Sequence, residues 1–170
     1  MSAPKKTTPT RAKAYTLDLS EQVLWARPGY LVRRLNQIHY AMFFEECKNE
    51  SITPVQYGIL TALSVNPGID QTTIGKELGL DRTTTADVVK RLEVKGYLLR
   101  QTNPDDRRAR KGFITPEGLR VMNELHAGMT RAQDRLLRPL PVADRRVFVK
   151  LLSFLVKANN QYSRAAVRGI

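Results

Sequence analysis

IDQTTIGKELGLDRTTTADVVKRLEVKGYLLRQTNPDDRRARKGFITPEG, residues 69–118, is the stretch that decides the fold. Asp70 suits a helix N-cap, its carboxylate accepting from backbone N–H groups two or three residues on. Ile74 and Leu78 fall four apart, on one helical face. Gly79 can take positive φ and close that helix, and Asp81 caps the next. The second helix, about Arg82 to Lys95, places Thr85, Val88, Val89 and Leu92 inward. Arg82, Thr83, Thr84, Asp87, Lys90 and Arg91 then face outward. A short helix, a tight turn and a second helix with a polar outer face make a helix-turn-helix.

A hairpin follows. Tyr97, Leu98 and Leu99 are β-prone, and Phe113, Ile114 and Thr115 match them across a polar loop from Gln101 to Lys111. Asn103-Pro104-Asp105-Asp106 is a strong turn signal within that loop. Arg107, Arg108, Arg110 and Lys111 come directly after it. A charged loop on a two-stranded wing suits the minor groove, whose negative potential is greatest where the groove is narrow.

Helix pattern, turn and wing, in this order and spacing, resemble the winged-helix core of the MarR family of bacterial transcriptional regulators. That family carries an Asp-Arg-Arg-Ala run in the wing, a strand ending Leu-Thr, and then a helix with Gly in its first turn. Asp106-Arg107-Arg108-Ala109, Ile114-Thr115 and Gly118 stand in those places. Gly112 stands where the family prefers an aliphatic residue, which predicts a looser second wing strand. The resemblance runs from about Pro28 to Ala158. It implies a mainly α fold with a small β-hairpin wing, a winged helix-turn-helix carried on long dimerisation helices.

The remaining segments fit that plan. Residues 1–16 are polar, basic and Pro-containing, so they are expected to be disordered, as a solubilising tail or a DNA-touching arm. Residues 17–170 are expected to be one domain, opened by a lead-in turn at Leu17 to Trp25. A helix from Pro28 to about Lys48 carries Leu31, Leu35, Ile38 and Met42 at helical spacing. Thr53-Pro54 starts another, ended by Asn66-Pro67-Gly68. Pro116 opens a helix to about Arg138, with Leu119, Met122, Leu125, Met129 and Leu136 as its apolar side. Pro139 and Pro141 break the chain before a last helix, about Val142 to Ser163. Long amphipathic helices outside a reading head need a partner. In the family this chain resembles, such helices interlock as a two-fold dimer. Residues 28–50 and 116–165 are assigned to dimerisation and 53–115 to the DNA-binding lobe.

Composition agrees. Twenty-eight basic against sixteen acidic residues give a net charge of +12, a balance that favours a polyanionic partner over a merely solvated surface once the motif is added. No apolar run approaches the roughly 18 residues of a membrane span, and no signal segment is seen. Cys47 is the only cysteine, which fits a reducing cytoplasm. Gly-rich phosphate loops, cysteine-pair metal sites and nucleophile elbows are missing. Glu45 and Glu46, adjacent on a helix, point about 100° apart and cannot flank one substrate bond. His39 and His126 are too few and too far apart for zinc. No enzyme, cofactor or metal is expected; the rival is a sequence-indifferent architectural binder.

The outer residues of the second helix suit the major groove. Thr83 and Thr84 can donate, accept or touch a thymine methyl, although threonines there also cap helices. Asp87 could accept from cytosine N4, and Arg82 can reach guanine or phosphate. Lys90 and Arg91 suit the backbone, which positions without specifying. In the wing, the resemblance makes Asp106 and Arg108 an orienting pair, and Arg107 or Arg110 the minor-groove residue; a solvated loop charge is the alternative. Two such heads on a double-stranded operator imply a pseudo-palindrome with half-sites about one helical turn apart.

Family resemblance also implies an effector. MarR-like proteins often bind small aromatic anions between the dimer helices and the DNA-binding lobe, which moves the reading heads and releases DNA. Trp25, Tyr30, Arg34, His39 and Tyr40 are the candidates, an aromatic and cationic set suited to an aromatic acid or its CoA thioester. A branch of the family controlling aromatic-compound catabolism has a similar arginine-rich first helix. The alternative is that Tyr40, Phe43 and Phe44 form dimer core. Cys47 could sense oxidation, but family sensors keep their cysteine near the start of the first helix, and no basic cluster here would activate the thiol.

Overall fold

Four helix starts are set by hydrogen bonds spanning three residues, and the computed structural model, which describes residues 24–48, 51–102 and 110–163, shows each of them. Helices α1 (Pro28–Glu46), α2 (Pro54–Val65), α3 (Gln71–Leu78) and α4 (Arg82–Val94) precede strands β1 (Leu98–Thr102) and β2 (Arg110–Ile114), then α5 (Pro116–Leu137) and α6 (Val142–Asn159). Thr53 caps α2 in a reciprocal box with Gln56, each side chain accepting from the other's backbone N–H at 3.2 and 3.0 Å. Asp70, Asp81 and Thr115 cap α3, α4 and α5 through Thr73, Thr84 and Gly118. Residues 1–16, the lead-in as far as residue 23, and the wing tip with Asp106, Arg107 and Arg108 lie outside the described residues.

The chain divides into two units, Met1–Leu35 and Asn36–Ile170. The described part of the first holds a 3-10 turn, Leu24–Ala26, and the opening turns of α1. There the Arg33 guanidinium sits over the Tyr30 ring, 5.5 Å from its centre.

In the second unit Phe43, Ile52, Ile59, Leu60, Leu63, Ile74, Val89, Leu92, Leu98 and Val121 form the core. Each such side chain contributes roughly 1.5–3 kcal/mol of transfer free energy. Phe43 therefore belongs to this chain's own core, not to a dimer seam, and Cys47 is buried just past the end of α1. Of the expected apolar series on α1, Leu31 and Ile38 stay exposed.

On α5 the buried stripe is Gly118, Val121, Leu125, Gly128 and Ala132, whereas Leu119 is exposed. Small residues are needed there because the neighbouring backbone comes close. A Cβ on Gly128 would stand 2.7 Å from the Glu46 carbonyl oxygen, and one on Gly118 2.0 Å from that of Tyr97. The helix opening in Thr-Pro-Glu-Gly thus owes its glycine to close packing.

The hairpin is longer than expected. Arg100, Gln101 and Thr102 pair with Gly112, Lys111 and Arg110, so both ends of the expected loop are strand. Gly112 does not loosen β2. Its N–H donates to Ile69 O and its carbonyl accepts from Gly68 N–H, both at 2.9 Å. A Cβ there would lie 3.0 Å from Leu63. The wing is laced to the segment that opens α3, and the missing side chain lets it close on α2.

No side chain of α6 is buried, and Val142, Val147, Val149, Leu151, Phe154 and Leu155 are all exposed. The helix stops at Asn159, and Asn160–Tyr162 form a 3-10 turn instead of its last residues.

Candidate nucleic-acid interface

Leucine, valine and threonine on one side of α4 leave its other side free. Thr85, Val89 and Leu92 are buried, and Val88 packs against the core. Arg82, Thr83, Thr84, Asp87, Lys90 and Arg91 are all exposed. The turn that presents them is tight. Gly79 takes φ 64°, and Leu80 N–H donates to Gly75 O at 2.8 Å. A Cβ on Gly75 would lie 2.8 Å from the Thr85 hydroxyl oxygen, so a larger residue would push α3 off α4.

The three threonines divide their work. Thr85 donates to Asp81 O at 2.7 Å inside the fold. Thr84 donates to the Asp81 carboxylate twice, through its N–H and its hydroxyl, each at 2.8 Å. Thr83 is exposed. Asp87 and Arg91, one turn apart, form an exposed ion pair at 2.9 Å.

A groove of about 490 Å³ runs beside this face, between Ser51, Thr53 and Gln56 and the Asp87, Lys90, Arg91, Val94 and Lys95 side of α4. Lys95 Nζ donates to Ser51 O across it. Lys95 thus extends the basic face and the uncharged start of α2 walls it, which periodicity along α4 alone does not reveal.

From the hairpin, Arg110 is exposed at the start of β2. Arg100 turns back toward α4, where its Nε donates to Glu93 at 3.0 Å. That contact holds the Glu93 carboxyl below its ordinary range.

The expected effector residues fall in both units. In the first, Trp25 and Arg34 are exposed and Tyr30 is half-buried. In the second, His39 and Tyr40 are half-buried and meet edge to face at 6.1 Å. His39 Nε2 lies 3.1 Å from Gln133 Nε2, and burial pushes its imidazole below the usual range, toward the neutral form. His126, a residue whose spacing from His39 speaks only against zinc, has its Nδ1 3.3 Å from the Tyr57 hydroxyl, which burial pushes up. Among the described residues no cluster of His, Cys, Asp or Glu could hold a metal ion. Burial also pushes the Cys47 thiol up, which favours the unreactive protonated form.

Glu45 and Glu46 have structural partners. Glu46 accepts from Arg131 Nε and Arg135 Nη1, both at 2.8 Å, and Glu45 accepts from Arg135 Nη2 at 2.9 Å. The pair ties the end of α1 to α5. No helix among the described residues is long and apolar enough to cross a membrane.

Known proteins share this arrangement. The model of the MarR family matches residues 52–109. The PcaV transcriptional regulator of Streptomyces coelicolor, solved in complex with its natural ligand, is 39% identical, with 81% of this chain and 96% of that one aligned at a TM-score of 0.74. BpsR of Bordetella bronchiseptica, whose DNA binding is regulated by 6-hydroxynicotinic acid, is 25% identical over 79% of this chain and 96% of that one, TM-score 0.74. The transcriptional repressor CouR, bound to a 23-mer DNA duplex, is 28% identical over 82% and 98%, TM-score 0.73. A capped helix-turn-helix, a wing laced to it and this extent of identity together show that the chain belongs to the MarR family, whose members are transcriptional regulators and not enzymes.

Proposed function

We propose that the chain is a dimeric, sequence-specific DNA-binding repressor, released from a pseudo-palindromic operator by a small aromatic acid or its CoA thioester. The observation that carries the reading is the division of α4. Every polar residue of α4 expected to read DNA is exposed, while Thr85, Val89 and Leu92 anchor the helix from behind. Thr83 and Thr84 address bases in the major groove, and Arg82 a guanine or a phosphate. Asp87 favours cytosine; Lys90 and Arg91 take phosphates. Asp106 and Arg108 orient the wing loop, and Arg107 or Arg110 enters the minor groove. CouR, solved on a DNA duplex, supports this mode.

Residues 53–115 form the DNA-binding lobe on this reading, and the helices within 28–50 and 116–165 pair two chains. The exposed apolar residues of α6 favour pairing, because a single chain leaves them in water. A chromosomal operator places the protein in the cytoplasm.

An aromatic acid as effector draws its support from BpsR, regulated by a heteroaromatic carboxylic acid. In the second unit His39 and Tyr40 offer a neutral imidazole and a phenol for such a ligand. In the first, Trp25, Tyr30 and Arg34 have an aromatic and cationic make-up that suits the same class. Sensing through Cys47 is disfavoured by its burial.

The test is a titration against the protein's own promoter region and a scrambled duplex at two salt concentrations. Aromatic acids and their CoA thioesters are then added to the preformed complex. Preference for the promoter, a steep salt dependence and release by one compound are expected. Equal affinity for both duplexes and indifference to every compound would instead establish an architectural binder.

A further inference from the structure

Glu93 is an acid at the C-terminal end of the helix that carries the basic reading face. Its carboxylate turns toward the hairpin, where a single oxygen accepts from both Nε and Nη2 of Arg100. The two side chains are only 34% and 22% exposed. Arg100 sits in β1 opposite Gly112 of β2, the residue whose backbone is bonded to Gly68 and Ile69. Between helix and strand lie Lys95, Gly96 and Tyr97, with Gly96 at φ 74°. The turn itself is fixed by backbone hydrogen bonds, from Gly96 N–H to Glu93 O at 2.9 Å and from Tyr97 N–H to Leu92 O at 3.0 Å, but they reach no further toward β1 than Tyr97. The ion pair adds a side-chain tie from α4 to β1 beyond that turn.

We infer that Glu93 and Arg100 form a positioning strut that sets the hairpin against the recognition helix, so that helix and wing engage one DNA duplex together. A guanidinium held by two hydrogen bonds on a partly buried carboxylate has a defined direction, unlike a freely solvated surface pair. The strut gives an acid beside a polyanion site a reason to be there. Plain electrostatics predicts that removing Glu93 strengthens DNA binding, because a like charge is lost and Arg100 is freed. A strut predicts the reverse. The inference rests on the DNA-reading role proposed above.

The experiment compares full-length wild type with Glu93→Gln, Glu93→Asp and the exchange Glu93→Arg with Arg100→Glu. Binding to promoter and random duplexes is measured by fluorescence anisotropy, with thermal unfolding alongside. Glu93→Gln is expected to lose about tenfold in promoter affinity, a size common for coupled neighbouring side chains, with random-DNA affinity held or raised. Glu93→Asp, which keeps the charge but shortens the reach, should lose promoter affinity as well. The exchange should restore most of it. Promoter binding by Glu93→Gln as tight as wild type or tighter would overturn the strut, as would a well-folded exchange variant that recovers nothing. Absence of promoter preference in the wild type would sink the DNA-reading role itself, an outcome told apart by the wild-type arm alone.

Discussion

The Asp87 carboxylate lies 2.9 Å from the Arg91 guanidinium, one helical turn away on the exposed side of α4. An exposed pair of this kind contributes little to stability, so its consequence is for binding. While paired, Arg91 is partly neutralised and Asp87 repels phosphate. Asp87→Asn should therefore tighten random-DNA binding by about threefold and reduce the preference for the promoter. Anisotropy titrations on both duplexes check this, and a variant unchanged on both would remove Asp87 from the reading face.

Thr83 and Thr84 are unequal despite their adjacency. The Thr84 hydroxyl proton is committed to Asp81, whereas Thr83 stands clear on the exposed face. Thr84→Ala should cost about 0.5–1 kcal/mol of stability through the lost hydrogen bond, and Thr83→Ala close to nothing. Discrimination among operator variants should fall more with Thr83→Ala. Denaturant melts paired with an operator-variant panel separate the two effects; equal loss of affinity for all DNAs would contradict base contact.

Wing arginines supply the third prediction. Replacing Arg107 and Arg108 together by alanine should weaken promoter binding and lower the slope of log K against log salt by about 1, the share of one cation lost from the interface, while the loss of Arg108 acts through the loop it orients. An unchanged slope would mean that the wing tip stays in solvent.

Glu46 ties α1 to α5, and hydrogen bonds from Arg131 and Arg135 hold its carboxyl below the ordinary 4.5. A depressed carboxyl stabilises the fold above its unfolded-state value and loses that contribution as pH falls through the lower folded-state value. Wild type should therefore lose melting temperature below about pH 4.5 more steeply than Glu46→Gln, which starts lower at neutral pH. Parallel curves for the two proteins would show that the bridge contributes nothing.

What could be read from the chain directly was local. Asp70, Thr53 and Asp81 announce helix starts because a side-chain oxygen and an N–H three residues away settle the matter between them, whereas Thr115, expected as a strand residue, caps α5 instead. Gly79 announces a turn because its left-handed φ is costly for other residues. The outer face of α4 follows from a 3.6-residue period, and all six residues expected there are exposed.

Tertiary structure decided what depends on a neighbour distant in the chain. The buried side of α5 runs through Gly118, Gly128 and Ala132, since the Tyr97 and Glu46 backbones press against it. A hydrophobicity pattern that favours Leu119 has no access to that approach. Gly112 likewise reads as a weak strand residue until Leu63 and the Gly68–Ile69 backbone are set beside it. The groove between Ser51 and Lys95 arises only when segments far apart in sequence are packed together, and the Glu93–Arg100 strut only when α4 and β1 are set against each other. Capping and periodicity are properties of one segment, whereas close packing and ion pairing across elements are properties of two.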